Sequence, residues 1–106
     1  MDNTVAIKPK KAVDKFFSTN EIDHYRIVEM KKRVVEFISV CRQAGELVNR
    51  EPNRKAEVVS HMETQRDRLL HDYYGNNGNG EKAQVKEFLN QVINNRGRLY
   101  EIRRGK

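Results

Sequence analysis

Arg66 and His71 are the two side chains of this 106-residue chain whose types and spacing could do chemistry together. They sit in Arg66-Asp67-Arg68-Leu69-Leu70-His71-Asp72-Tyr73-Tyr74-Gly75, where two arginines, a histidine, two acids and two tyrosines share ten residues. A planar guanidinium binds anions such as carboxylate or phosphate through several N–H donors at once. An imidazole exchanges protons near neutral pH, as a general acid or base must.

The spacing Arg-x4-His-x-Tyr, with polar Asp67 directly after Arg66, resembles the signature of HEPN-type helical ribonucleases, in particular their small toxin branch paired with antitoxins. The resemblance covers about a tenth of the chain. It implies a helical homodimer whose two motifs line a shared cleft. It also implies metal-independent endoribonuclease activity, in which a ribose 2′-OH attacks the neighbouring phosphate, within a toxin–antitoxin or phage-defence system. Arg66 and His71 would then be catalytic, Arg68 and Tyr73 substrate-binding, with no cofactor or metal. The chain departs from the family in its short length, in the early start of the motif helix and in the Asn/Gly loop after it.

The element carrying the motif is read as a helix over 54–74, opened by Asn53 after Pro52. Its apolar stripe runs Val59, Met62, Leu69, Leu70 and Tyr73, and Arg66 falls where the rhythm calls for a core residue. A guanidinium there must be paired, snorkel or face a cleft; Glu29 and Glu36 are candidate partners. On a straight helix five residues turn His71 about 140° from Arg66. One chain therefore brings the pair together only if the helix is distorted, and two chains could do so across an interface. An exposed histidine near a helix C-terminus is alternatively explained by the helix dipole.

The other elements follow from capping and periodicity. Lys10–Phe17 predicts a short helix docking through Val13, Phe16 and Phe17. Ser18 with Glu21 reads as a capping box opening a long helix over 19–49. Its seam is Ile27, Met30, Val34, Phe37, Cys41, Ala44 and Val48, widened by Val28, Val35 and Ile38. Gly45 either weakens the last turns or lets another element approach closely. A third long helix over 81–95 buries Val85, Phe88, Leu89, Val92 and Ile93. Leu99, Tyr100 and Ile102 form an apolar island expected to dock on the bundle. The expected fold is all-α: an up-and-down helical bundle of three long helices plus a short N-terminal helix. It spans 10–95, after a disordered N-terminus at 1–9 and before a basic tail at 96–106.

The net charge of +6 is carried by the two ends. Residues 1–15 hold Lys8, Lys10, Lys11 and Lys15 against Asp2 and Asp14. Residues 96–106 hold Arg96, Arg98, Arg103, Arg104 and Lys106 against Glu101. Between them, basic and acidic residues balance. Basic ends attract phosphate backbones in a salt-sensitive, sequence-independent way, or simply solubilise the chain. A single cysteine, Cys41, excludes an internal disulfide and fits a reducing cytoplasm. No metal-ligand spacing, phosphate loop, signal peptide or stretch of about 18 apolar residues is present. The alternative to the ribonuclease is a small non-catalytic adaptor or regulator, binding a protein partner through its helices or nucleic acid through its basic ends.

Overall fold

A computed structural model describes residues 2–76 and 80–104, apart from the side chains of residues 2, 3 and 102–104. The fold class is all-α, with a two-stranded ribbon made by the chain ends. The order is β1 (Asp2–Ala6), α1 (Pro9–Thr19), α2 (Ile27–Arg50), a 3-10 turn (Pro52–Arg54), α3 (Lys55–Tyr74), α4 (Gly80–Asn94) and β2 (Tyr100–Arg104). The smallest dimension of the molecule is 20 Å, which is the thickness of two helix layers. No helix among the described residues is long and apolar enough to cross a membrane.

The core gathers one stripe from each helix. Val13 and Phe17 of α1 meet Met30, Val34, Phe37, Ile38 and Cys41 of α2. Met62, Leu69, Leu70 and Tyr73 of α3 and Val85, Leu89 and Val92 of α4 complete it. Phe16 stacks on Phe88 with ring centroids 4.3 Å apart, tying α1 to α4. Two expected core positions differ. Val28 is 67% exposed, because it lies about 135° around α2 from the centre of the Met30–Cys41 stripe. In α3 the buried valine is Val58, and Val59 is half-buried.

The long helix expected from residue 19 begins at Ile27 instead, and α1 continues to Thr19. Ser18 and Glu21 form no capping box. They belong to a helix stop, in which the N–H of Glu21 donates to Ser18 O and that of Ile22 to Phe17 O. Glu21 takes a left-handed φ of 51°. This is the Schellman pattern, with Ile22 and Phe17 as its apolar pair; both are buried. Burial of Ile22 decides the outcome, since a helix running through residues 20–26 would carry this side chain off the core.

The ends also differ from expectation. Residues 2–6, expected to be disordered, pair antiparallel with residues 100–104 in the register Ala6↔Tyr100 to Asp2↔Arg104. The N–H of Ile7 extends the ladder to Leu99 O. Glu101 anchors the ribbon to α1 through Lys11 and Lys15, at 3.7 and 3.8 Å. Neither strand has enough alternating apolar residues to announce itself, so the pairing is set by the bundle bringing the ends together.

The turn that sends the chain back is Asn95–Gly97, a second Schellman stop. The N–H of Arg96 donates to Ile93 O and that of Gly97 to Val92 O, with Arg96 and Gly97 at φ 54° and 74°. This corner lies against α2. A Cβ on Gly97 would sit 2.7 Å from Ile38 O and 2.8 Å from Arg42 N, and a Cβ on Gly45 would sit 2.7 Å from Arg96 Cβ. Gly45 therefore serves close approach. Gly97→Ala combines a left-handed backbone with a clash against main chain and should cost about 3 kcal/mol. Gly80→Ala, which meets nothing within 4 Å, should leave stability unchanged within about 0.5 kcal/mol or raise it. Urea denaturation of the two variants checks the contrast.

Candidate functional site

The motif residues sit on α3, which runs without interruption from Lys55 to Tyr74. Arg66 faces α4. Its side chain is 14% exposed. Its Nη1 donates to Asn90 Oδ1 at 2.6 Å. Its Nε and Nη2 both lie 2.9 Å from Asp67 Oδ1. The break in the apolar stripe is thus satisfied by an amide across the helix pair and by the next residue, in place of Glu29 or Glu36. Arg68 and His71, one turn apart, are exposed. The undistorted helix keeps His71 on a different side from Arg66, so a single chain does not assemble the two into one site.

Tyr73 is buried and belongs to a cluster at the foot of α3. The guanidinium carbons of Arg26 and Arg33 lie 4.8 and 5.8 Å from its ring centre. Arg33 pairs with Asp72 and Arg26 with Glu29. The Tyr73 hydroxyl is enclosed and has no hydrogen-bond partner among the described residues. Burial, reinforced by the charge of Glu29, raises its pKa. Hydrogen bonding from Arg26 lowers that of Glu29. His24 ties the linker to α3: its Nδ1 accepts the Arg26 N–H at 3.0 Å, so Nε2 carries the proton donated to Tyr73 O at 2.7 Å. Tyr74 donates to Glu81 Oε1 at 2.6 Å, and burial followed by this bond raises its pKa. These contacts lock the α2–α3–α4 corner, and Tyr73 offers neither an exposed ring nor an accessible hydroxyl to a substrate.

Cys41 is equally withdrawn, with its Sγ 3.6 Å from Met62 Sδ. Burial pushes its thiol up to about 12, so it stays protonated and unreactive at neutral pH. Among the described residues no group of three His, Cys, Asp or Glu side chains is arranged to hold a metal ion.

The basic residues of the C-terminal segment do converge. Arg96 and Arg98 line a cleft of about 240 Å³ with Arg42, Gly45, Glu46 and Asn49 of α2, and with Ala6, Leu99 and Tyr100 of the ribbon. Arg42 Nε donates to Gly97 O at 2.8 Å and Arg96 Nη1 to Asn49 Oδ1 at 2.9 Å. Each bond fixes a side chain while leaving other guanidinium nitrogens unbonded to the described residues. The Arg98 side chain is exposed and makes no hydrogen bond or ion pair with them, while its backbone N–H donates to Asn95 O. The backbone of Arg103 and Arg104 continues β2 from this point; their side chains lie outside the described residues. Two members of the cleft escaped sequence reasoning. Arg42 lies on a helix far from the tail, with no local signal. Tyr100, expected to dock on the bundle, is 57% exposed, whereas Leu99 packs against the core.

Comparison with protein-family models, with curated proteins and with solved structures gave no match.

The two motif residues differ in what they support. Arg66→Met removes a charge-assisted bond between α3 and α4 and should lower stability by about 1–2 kcal/mol. His71→Ala should change it by less than about 0.5 kcal/mol. Thermal or urea unfolding of both variants measures the difference, and equal effects would contradict the assigned contacts.

Proposed function

We propose that the chain is a small helical adaptor or regulator that binds nucleic acid through its paired ends. The observation carrying this reading is the convergence of Arg42, Arg96, Arg98 and Tyr100 on one cleft whose only acid among the described residues is Glu46. Three guanidiniums against one carboxylate give a local excess of positive charge. The strand leaving the cleft carries Arg103 and Arg104 onward. Such a surface attracts phosphates and releases their counterions.

Truncation of residues 96–106 is a poor test, because Arg96 and Gly97 pack on α2 and the segment pairs with β1. Point substitution is cleaner. Fluorescence anisotropy with a labelled oligonucleotide should show binding at about 50 mM salt that weakens with a log–log slope of roughly −2 to −4, for three to five phosphate contacts. Arg98→Ala, which breaks no internal bond, should reduce the slope by about 0.7–0.9. No binding at that salt would end the reading.

A ribonuclease is the second reading. In its favour, Asp67, the polar residue that follows Arg66, holds the guanidinium in place, and Arg68 and His71 stand exposed together. It requires a second copy to bring His71 toward another chain's Arg66. Under it, RNA incubated without metal ions is cut by the unchanged protein and left intact by His71→Ala. RNA that survives the unchanged protein rules it out.

A further inference from the structure

We infer that the cleft between α2 and the terminal ribbon seats one nucleotide of a single-stranded nucleic acid, with its phosphate on Arg42, Arg96 and Arg98 and its base on the ring of Tyr100. The inference rests on the nucleic-acid reading above and adds the form of the ligand. Four observations carry it.

The first is size. Sites for whole small molecules usually enclose roughly 300–1,000 Å³, and this cleft of about 240 Å³ is smaller. It suits one unit of a polymer that enters and leaves over its rim. The second is preparation. Arg42 is fixed by Gly97 O and Arg96 by Asn49 Oδ1 before any ligand arrives, so less side-chain freedom is lost on binding. The close approach at Gly45 and Gly97 sets this arrangement, because any Cβ there would push the two arginines away.

The third is charge. Three arginines line one cleft with Glu46 the only acid among its described lining residues, and an anion among them relieves their mutual repulsion. The fourth is the aromatic ring. Tyr100 lines this basic cleft with 57% of its surface exposed, whereas Phe16 and Phe88 stack on each other between α1 and α4. An exposed ring beside a phosphate site is a platform for an unstacked base. A duplex keeps its bases stacked and paired, so it can use the arginines and leave the ring uncovered.

The test uses the full chain with two labelled probes, a single-stranded oligonucleotide of about 12 nucleotides and a duplex of the same length. Tyr100→Ala should weaken single-strand binding by about tenfold or more and change duplex binding by less than about twofold. Tyr100→Phe keeps the stacking face and should restore the single-strand affinity. This also separates loss of the ring from damage to the ribbon, which circular dichroism checks directly. Glu46→Gln removes the opposing charge and should tighten binding of both probes. An equal loss for both probes, or no loss in Tyr100→Ala, overturns the inference and leaves the nucleic-acid reading standing. Competition by a free nucleoside monophosphate as effective as the oligonucleotide overturns it too, in favour of a mononucleotide site. If the unchanged protein binds neither probe at low salt, the nucleic-acid reading fails and the inference falls with it.

Discussion

The close approach of the Asn95–Gly97 corner to α2 is the contact on which the other long-range features depend. Gly97 lies so near the backbone of Ile38 and Arg42 that a single added carbon would overlap it. Two successive left-handed residues, Arg96 and Gly97, reverse the chain there. The reversal delivers Leu99 to the core and aligns Tyr100–Arg104 with Asp2–Ala6. A two-stranded ribbon is marginal by itself, so it relies on this corner and on the Glu101 pairs to α1. The same corner assembles the basic cleft. Arg42 bonds the carbonyl of Gly97, Arg96 reaches Asn49, and Arg98 emerges beside them. Stability and proposed binding are thus two consequences of one packing contact.

The motif on α3 illustrates what helical geometry permits. Five residues along a regular helix separate two side chains by more than a third of a turn. Arg66 uses its position to join α3 to α4 through Asn90, and Tyr73 uses its own to join α3 to the start of α2 through Arg26, Arg33 and His24. Both are contacts between elements of the bundle. His71 and Arg68 remain on the surface. The residues gathered by the motif spacing are therefore divided between holding the bundle together and facing solvent.

Much of the helical layout was legible in the chain because periodicity and breaks agree. Pro52 and the Asn/Gly loop bound α3, and the Met30–Cys41 rhythm places α2 on the core. Arg66 was legible as an anomaly in its stripe, though its partner was not, since Asn90 lies across another helix. The start of α2 was misread because Ser18 and Glu21 have the types of a capping box, while burial of Ile22 favours a stop. Pairing of the ends was illegible because a ribbon joining residues nearly a whole chain apart is specified by tertiary packing, and its strands carry little β-forming pattern. For the same reason the cleft could not be foreseen: Arg42 and Tyr100 are neighbours only once the corner closes.

Mapping the bound surface tests the central claim most directly. A single-stranded oligonucleotide titrated into ¹⁵N-labelled protein should shift the amide resonances of Ala6, Arg42, Gly45, Arg98 and Tyr100, in a salt-dependent manner. Resonances around Arg68 and His71 should stay in place. Shifts centred on Arg68 and His71, with the cleft unmoved, would contradict the account.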